Sequence, residues 1–501
     1  MQNHFDLLVI GGGINGAGIA RDAAGRGLKV CLVEKDDLAG HTSSSSTKLV
    51  HGGLRYLEHF EFRLVRESLI ERERLLRIAP HIIWPLRFVL PHDKGLRPKW
   101  MLRLGLFLYD HLGGRKLLPG TKDVDLRREP HADFLQDRLT HGFEYSDCWV
   151  EDSRLVVLNC MDAAAGGADI RTRTECTGLE RRADSWIATL KSDGAEQMIS
   201  ARNVVNAAGP WVDTVLGRAI PDETHKNLRL VKGSHLIFPR LFSGDHCYIF
   251  QNRDDRIIFA IPYEHDFTLV GTTDQLFEGD PAGIDISPEE ASYICDAANE
   301  YLRSAISPDQ AVASYAGVRP LYENNAATNS TVTRDYQFEV DRGDTNDAPR
   351  LLSIFGGKLT TYRKLAEHAL KELGIEGPSW TAETALPGGD FPVAEADLRL
   401  AELQKHYDWF PAEGIRRLFR AYGTKVTGIL DGAKTTEDLG LHFGGDLYQV
   451  ELEYLIRSEF ARSADDVLKR RSKLYLHLSE TEQQAVRDWF EGTDWSHLLA
   501  E

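Results

Sequence analysis

The sequence has few of the features that mark exported, metal-binding or membrane-spanning proteins. Its six cysteines include no Cys-x-x-Cys pair and no nearby histidines at zinc-ligand spacing, so we expect reduced thiols and no metal site. No uncharged apolar run approaches the roughly 18 residues of a membrane-spanning helix, and the first residues lack the basic start of a signal peptide. We therefore expect a protein of the cytoplasm or of the cytoplasmic face of a membrane.

Composition and charge narrow the class further. Proline is scarce, at 19 of 501 residues, and 42% of the residues are hydrophobic, which excludes collagen-like structure and wholesale disorder. Acidic residues outnumber basic ones by 76 to 59, and the net charge of −17 excludes a chain that wraps nucleic acid as a whole. Any anionic partner must therefore meet a local basic patch.

A glycine-rich turn near the start of the chain is typical of a dinucleotide site. Gly11, Gly13 and Gly16 form G-x-G-x-x-G between a predicted strand and a predicted helix. Gly11 permits the tight turn, Gly13 lets the backbone approach a pyrophosphate, and Gly16 lets the helix pack closely on the sheet. Glu34 ends the next predicted strand, where a carboxylate can accept hydrogen bonds from a ribose diol. These features leave both FAD and NAD open as the dinucleotide.

Two further segments favour FAD. Residues 204–211 form an apolar strand that ends in small residues, and this segment resembles the returning strand of FAD-binding proteins of the D-amino-acid oxidase superfamily. Residues 355–361 form a second glycine turn that opens a helix, and the N–H groups of that turn could face the electron-rich end of a reduced flavin. Either segment alone is compatible with plain packing, but together with the first turn they favour FAD.

Two motifs of the chain are highly specific, His-Gly-Gly-Leu-Arg-Tyr at 51–56 and Gly-Gly-Lys-Leu-Thr-Thr-Tyr-Arg-Lys at 356–364. With these motifs the chain resembles, over almost its whole length, the respiratory, FAD-dependent glycerol-3-phosphate dehydrogenases. The clearest departure, at 123–137, touches no motif. The other matching stretches are 8–18, 43–58, 142–149, 232–235, 271–274 and 317–320.

The pattern of segments and the resemblance together predict an α/β fold, α+β overall. Residues 228–273 alternate in short apolar segments typical of an antiparallel sheet, and residues 381–501 carry 22 acidic and 14 basic residues in helical patterns. We predict four parts, which are a discontinuous Rossmann-like FAD-binding domain (1–80, 141–215 and 350–380), a membrane-facing insertion (81–140), a substrate domain built on the antiparallel sheet (216–349) and a C-terminal acidic helical domain (385–501).

Three cations stand in glycine-rich motifs rather than on charged helix faces, and they are Arg55, Arg319 and Lys358. Guanidinium and ammonium groups are well suited to hold a substrate phosphate. The resemblance implies that Arg319 occupies the position of the substrate-binding arginine of the oxidase superfamily, and that Arg55 and Lys358 line the glycerol-3-phosphate pocket. We predict Tyr56 and Thr272 as hydroxyl donors to the substrate, although Tyr56 could equally pack beside the flavin.

Oxidation of a secondary alcohol also needs a base for the hydroxyl proton. We predict His235, together with Arg319, as the catalytic pair, because a neutral imidazole is suited to accept a proton near neutral pH. The alternative is a structural histidine on a strand.

The predicted cofactor contacts come from both glycine turns, from a hydroxyl-rich loop and from the small residues that end the returning strand. The alternative interpretation of the hydroxyl-rich segment is an ordinary polar loop. The paired glycines after His51 would let the backbone lie close to the isoalloxazine. The predicted contacts are Gly11, Gly13, Ile14, Asn15, Gly16, Glu34, Thr42, Ser43, Ser46, Thr47, His51, Gly52, Gly53, Ala208, Gly209, Gly356, Gly357, Lys358 and Thr360.

The resemblance implies oxidation of sn-glycerol 3-phosphate to dihydroxyacetone phosphate, with hydride passing to flavin N5 and electrons to membrane quinone. One alternative is a soluble oxidase on the same fold that produces hydrogen peroxide. A second is a non-catalytic flavin-binding scaffold, which would have no need for three cations beside the flavin. A homodimer is compatible with the sequence, and no nucleic acid partner is expected.

Residues 96–116 carry a net positive charge within a negatively charged chain, since they include five cations and a single acid, Asp110. The apolar residues between them wrap too far round a helix for a clean stripe, which leaves a buried core helix as one interpretation. Basic ends with Trp100 and Tyr109 between them instead suit an interfacial helix on anionic lipid. We predict peripheral attachment to the inner face of the cytoplasmic membrane through this segment.

Overall fold

The computed structural model describes residues 4–93, 97–220, 227–252, 254, 256–323, 335–345 and 347–499. The strands are β1 (His4–Ile10), β2 (Val30–Val33), β3 (Leu49–Val50), β4 (Ile83–His92), β5 (Lys122–Asp125), β6 (His141–Val150), β7 (Asp169–Arg171), β8 (Glu175–Arg181), β9 (Trp186–Ser192), β10 (Ala195–Asn206), β11 (Leu228–Pro239), β12 (Cys247–Gln251), β13 (Ile257–Tyr263), β14 (Phe267–Gly271), β15 (Gln275–Leu276), β16 (Ala313–Tyr322), β17 (Gln337–Asp341), β18 (Leu351–Phe355), β19 (His442–Gly444) and β20 (Leu447–Tyr448). The α-helices are α1 (Ile14–Gly25), α2 (Phe62–Ile78), α3 (Lys99–Leu112), α4 (Asp152–Ala165), α5 (Val212–Ala219), α6 (Pro288–Asn299), α7 (Tyr362–Glu372), α8 (Ala396–His406), α9 (Ala412–Tyr422), α10 (Val426–Ile429), α11 (Gln449–Glu459) and α12 (Glu480–Gly492).

The first sheet contains the predicted β-α-β unit. Its strand order is β17-β18-β10-β1-β2-β7, with β8 and β9 attached through β10. Strand β1 pairs in parallel with β2 and β10, and Leu7, Leu8 and Val9 are all buried, as expected for a parallel strand covered on both faces. Helix α1 packs against α4 and α7 on one side of this sheet. The carboxyl end of β1 therefore opens onto the N-terminus of α1.

The second sheet is larger than the sequence predicts. Its order is β15-β11-β14-β13-β12-β4-β6-β3, with β16 beside β11 and β5 beside β6. Strands β11 to β14 form the predicted antiparallel segment, but β12 pairs in parallel with β4. Strands β4 and β6 thus belong to this sheet, so residues 81–140 are not a separate insertion and residues 141–150 do not lie in the nucleotide-binding sheet, contrary to the predicted boundaries. A pairing between strands so distant in sequence leaves no signal in local periodicity.

Helix α2 is rich in charged residues, but not all of them lie in solvent. Glu71 and Arg72 are buried. Arg72 donates a 2.6 Å hydrogen bond to Asp147 on β6, and Glu71 accepts two hydrogen bonds of 2.7 Å from Arg363 on α7. These buried ion pairs fix α2 between the two sheets, and the charges on its other face, such as Arg66, remain in solvent.

Helix α3 is amphipathic, with one buried face and one exposed face, rather than buried on all sides. Leu102, Leu106 and Tyr109 pack into the core under the second sheet, whereas Trp100 is 66% exposed and Phe107 is 56% exposed. The interpretation as a core helix therefore holds for one face only. The first residue of the predicted membrane segment, Leu96, lies outside the described residues. No described helix is both long and apolar enough to cross a bilayer.

The C-terminal helices α8 to α12 have a hydrophobic core of their own. They contact the rest of the chain through buried ion pairs, among them Arg154 on α4 with Glu459 on α11, and Asp37 with Arg471. All six cysteines lie among the described residues, where they are buried and form no disulfide.

Candidate active site

Residues from both sheets line one cavity of about 1050 Å³. Most of the predicted site residues meet there, although they come from distant parts of the chain. The lining residues among them are Gly11, Gly13, Ile14, Asn15, Glu34, Thr42, Ser43, Ser46, Thr47, His51, Gly53, Arg55, Tyr56, Ala208, Gly209, His235, Thr272, Arg319, Gly356, Gly357, Lys358 and Thr360. The two predicted residues that do not line the cavity are Gly16 and Gly52.

The first glycine turn has different steric demands at each glycine. Gly11 has a positive φ of 112°, and a Cβ there would lie 2.5 Å from the Ala207 carbonyl oxygen. A Cβ at Gly16 would lie 2.0 Å from the Gly11 carbonyl oxygen, which explains a packing role behind the cavity. At Gly13 the one described neighbour within 4 Å is Ser43 Oγ, at 3.1 Å. Gly13 therefore leaves room on the cavity side, where a pyrophosphate would need it.

Glu34 lies at the end of β2 and faces the first turn. Its carboxylate accepts a 2.6 Å hydrogen bond from the Gly12 N–H and a 2.9 Å bond from the Asp36 N–H. Burial raises the pKa of Glu34, and the two N–H donors oppose that shift. Each oxygen retains a lone pair, so the carboxylate can still accept from a ribose diol. Trp211, which sequence reasoning missed as a site residue, lines the same end with Lys35 Nζ 3.8 Å from its ring centroid.

The hydroxyl-rich loop holds its shape through its own hydroxyls. Thr42 Oγ1 donates to the Val318 carbonyl at 2.7 Å, and Ser43 Oγ accepts from the Ile14 N–H at 3.0 Å. Ser46 Oγ donates to Asp152 at 2.7 Å. Because these hydroxyls form hydrogen bonds with protein groups, they hold the loop in position beside the cavity.

The glycines after His51 also differ from each other. Gly53 lines the cavity with a positive φ of 73°. The Gly52 N–H instead donates to the Tyr109 hydroxyl at 2.7 Å, and a Cβ at Gly52 would lie 2.4 Å from Leu69 Cδ2. Gly52 thus serves close packing against α2 and α3 rather than an approach to a flat ligand.

The second glycine turn meets the first one. Asn15 Nδ2 donates to the Gly356 carbonyl at 3.2 Å, and Gly357, with a φ of 102°, would bring a Cβ within 2.8 Å of Asn15 Nδ2. Asn15 Oδ1 is buried and finds no hydrogen-bond partner among the described residues. A buried acceptor aimed between two glycine turns, with open space at Gly13, fits an elongated polar ligand such as FAD.

The predicted substrate cations share the cavity. Arg319 on β16 donates to Thr272 Oγ1 at 3.4 Å, and its Nη1 lies 3.6 Å from Asp274 Oδ1. Lys358 Nζ lies 4.0 Å from the centroid of the Tyr56 ring. Asp274 was missed as a site residue even though it stands in a matching motif, since only the folded structure shows that it faces Arg319. This arrangement is suited to hold a dianionic group beside an alcohol.

His235 lies on β11, and 1% of its surface is exposed. Its Nε2 is 3.0 Å from Thr47 Oγ1, and its Nδ1 has no hydrogen-bond partner among the described residues. Desolvation lowers the pKa of His235 well below its usual value, and the charges of Arg319 and Lys48 lower it further. The imidazole is therefore neutral at physiological pH, as a general base must be.

Comparison with known proteins identifies the family. Residues 6–343 match the family model for FAD dependent oxidoreductases, and residues 379–491 match the C-terminal domain of alpha-glycerophosphate oxidase. The chain is 51% identical to D-erythritol 1-phosphate dehydrogenase of Brucella abortus, with 98% of each chain covered. It is 50% identical to glycerol-3-phosphate dehydrogenase of Pseudomonas aeruginosa, covering 96% of this chain and 93% of that one.

A solved structure shares the fold over the same length. It is the glycerol-3-phosphate dehydrogenase of Bacillus halodurans complexed with FAD, with 28% identity, a TM-score of 0.74, and coverage of 98% of this chain and 94% of that one. The predicted fold class and the predicted cofactor, FAD, are confirmed. The chain therefore belongs to the FAD-dependent oxidoreductase family, in the group that includes the glycerol-3-phosphate dehydrogenases.

Proposed function

We propose that this protein oxidises sn-glycerol 3-phosphate to dihydroxyacetone phosphate and passes the two electrons to a membrane quinone. The observation that carries this proposal is the meeting of Arg55, Arg319 and Lys358 with the buried His235 in the cavity that both glycine turns line. A scaffold protein has no need for that combination.

The residues of the chain have separate roles in the proposed reaction. Bound FAD supplies the two-electron acceptor. Arg319 and Lys358 bind the substrate phosphate and orient the carbinol, since charge-assisted contacts are the strongest that a phosphate can make. His235, which lines the cavity, accepts the hydroxyl proton, and Thr47 Oγ1, 3.0 Å from its Nε2, orients the ring. Asp274 limits the movement of the Arg319 guanidinium.

A second candidate substrate is D-erythritol 1-phosphate, because the relative from Brucella abortus that is 51% identical is named for it. Both molecules place a phosphate ester near a secondary alcohol, so the same cations and base would serve either. Two measurements decide between them. One is an anaerobic titration of the holoenzyme with each phosphate, monitored by the flavin absorbance, and the other is steady-state kinetics with each phosphate and an added electron acceptor. We expect bleaching by glycerol 3-phosphate and the higher kcat/KM for it. A higher kcat/KM for D-erythritol 1-phosphate would make that compound the proposed substrate. If neither phosphate bleaches the flavin, the non-catalytic scaffold is favoured.

The electron acceptor has a separate test. A soluble oxidase would return one hydrogen peroxide for each substrate molecule oxidised, whereas a dehydrogenase needs an added acceptor. We expect fast turnover with a short-chain quinone and little peroxide in a membrane-free assay. Stoichiometric peroxide without quinone would establish the oxidase alternative.

Replacement of His235 by asparagine tests the proposed base. Loss of general-base catalysis typically lowers the rate by about 10²- to 10⁴-fold. We therefore expect His235→Asn to retain FAD and to have a kcat that is lower by a factor in that range. Because the active form is the neutral imidazole and its pKa is lowered, kcat of the wild type at saturating substrate should stay level as the pH falls through 6.5. The profile is taken from kcat because kcat/KM also reports protonation of the free substrate phosphate, whose second pKa is about 6. A wild-type profile that drops by half near pH 6.5, or an active variant, would contradict the role.

We further propose that α3 attaches the protein to the inner face of the cytoplasmic membrane. Trp100, Leu104 and Phe107 are exposed on one side of this helix, and Phe60 and Phe62 are exposed in the neighbouring turn and at the start of α2. Such a large apolar surface in solvent indicates a contact that is absent from the isolated chain. A quinone dissolved in lipid would then be close to the cavity, which Leu54 and Tyr56 line on this side.

Vesicle co-sedimentation tests the attachment. Each exposed cation contributes about 1 kcal/mol at an anionic surface, so changing Arg97, Lys99 and Arg103 to glutamate should abolish pelleting with anionic vesicles at low salt. Changing Leu104 and Phe107 to serine should weaken pelleting at every salt concentration. The control is Leu441→Ser, which removes an exposed leucine of the C-terminal unit (the described residues 385–499). Equal pelleting of all variants at matched FAD content would place the membrane contact elsewhere.

A further inference from the structure

The C-terminal unit contacts the rest of the chain at the first turn of α4. Lys473 reaches out of the C-terminal unit and forms an ion pair with Glu151, the residue just before α4. Arg154, one turn further, pairs with Glu459 and donates to the Ala421 carbonyl at 2.8 Å. Lys473 is 4% exposed, so its charge is compensated by neighbouring carboxylates rather than by water.

Asp152 follows Glu151 directly and contacts the hydroxyl-rich loop, residues 42–48, that lines the cavity. Its carboxylate accepts hydrogen bonds of 3.0 Å from Lys48 Nζ and 2.7 Å from Ser46 Oγ. Lys48 also donates to the Ser44 carbonyl at 2.9 Å. Two adjacent carboxylates thus connect the C-terminal unit on one side with the cavity loop on the other.

The loop is in turn connected to His235. Tyr315 stacks on the His235 ring with centroids 4.8 Å apart, and its hydroxyl donates to the Ser46 carbonyl at 2.7 Å. Lys48 Nζ lies 5.0 Å from the centroid of the Tyr315 ring. A displacement of Asp152 would therefore move the loop, the tyrosine and the imidazole together.

Two ammonium groups and three carboxylates meet in this cluster. Lys48 and Lys473 compensate Asp152 and Glu151, and Glu264 lies 3.9 Å from Lys473. Removal of one member of a buried ion pair leaves an uncompensated charge, which is costly and drives local rearrangement or water entry. Without Lys473, three carboxylates would face the single ammonium of Lys48.

We propose that Lys473 of the C-terminal unit is a positioning residue for the oxidation. By neutralising Glu151 it keeps Asp152, the cavity loop and the Tyr315–His235 stack in their catalytic arrangement. The C-terminal unit is then a part of the support of the active site rather than an independent appendage. This proposal rests on the proposed role of His235 as the base.

The test compares full-length holoenzymes carrying Lys473→Met, the charge-balanced double change Glu151→Gln with Lys473→Met, and the control Lys469→Met. Lys469 is exposed and pairs only with Asp465 among the described residues, at 2.9 Å. We would measure kcat and KM per bound flavin with a soluble dye acceptor. The histidine NMR spectrum of isotopically labelled protein, with the His235 signal assigned through His235→Asn, would be recorded without substrate.

We expect Lys473→Met to lower kcat by about tenfold or more with KM changed less than about threefold, because the phosphate-binding cations are untouched. The His235 signal should shift in this variant, and both properties should return towards wild type in the double variant. The control should behave as wild type.

Three results would overturn the proposal. One is a kcat for Lys473→Met within about twofold of wild type, and another is a lowered kcat with the His235 signal unmoved. If the single variant does not fold, the double variant decides, since a folded double variant with a displaced His235 signal contradicts charge compensation. The NMR measurement needs no substrate, so it remains decisive if neither phosphate reduces the flavin, whereas that failure would reject the proposed function.

Discussion

Gly13→Val is expected to yield a folded protein without its yellow colour. The valine Cβ meets only Ser43 Oγ within 4 Å among the described residues, at 3.1 Å, and Gly13 has an extended backbone that any residue can adopt. The branched side chain would instead fill the space through which the backbone approaches the pyrophosphate. The measurement is the ratio of flavin to protein absorbance after purification, together with the melting temperature in the presence and absence of added FAD.

Wild-type protein should melt at a higher temperature when FAD is added, because a ligand that binds only the folded state stabilises it. The Gly13→Val variant should show no such increase. Gly428→Val is the matched control, since no described atom lies within 4 Å of the position of its Cβ and it is far from the glycine turns in sequence. A fully yellow Gly13→Val protein would place the pyrophosphate elsewhere in the cavity.

Arg319→Lys is expected to retain FAD and lose most of the activity. Lysine keeps the positive charge near Asp274 but has a single ammonium in place of the planar guanidinium that can make two parallel hydrogen bonds to a phosphate. Loss of one charged contact corresponds to about 2 to 4 kcal/mol of transition-state stabilisation, or a fall in kcat/KM of roughly 30- to 900-fold. Steady-state kinetics with glycerol 3-phosphate, normalised to bound flavin, measures this fall.

Arg229→Lys provides the control for the same substitution on the neighbouring strand. Arg229 lies on β11, 4.0 Å from Glu323, and is not among the residues that line the cavity. Its replacement should leave kcat/KM unchanged. If Arg319→Lys keeps wild-type kcat/KM, then Arg319 is a structural partner of Asp274 and Thr272, and the phosphate binds elsewhere.

The sequence alone predicts those features that depend on neighbours along the chain. The first turn is one of them, because the spacing of Gly11, Gly13 and Gly16 between a strand and a helix is a local pattern. The close approach of Gly11 to Ala207 is set by the fold. The apolar run of β1 and the acidic helices after residue 381 are others, since periodicity and composition are local properties. The resemblance adds which cations are expected near the substrate, and the structure brings these cations into one cavity.

Only the tertiary structure decides features that depend on residues far apart in the sequence. The parallel pairing of β12 with β4 places residues 83–92 in the second sheet. No local pattern encodes which distant strand will be a neighbour. Glu71 and Arg72 appear as surface charges in the helical pattern, but partners from other elements allow their burial. The same reason applies to the route from Lys473 to His235, because ion pairs and ring stacking between separate units exist only once the chain has folded.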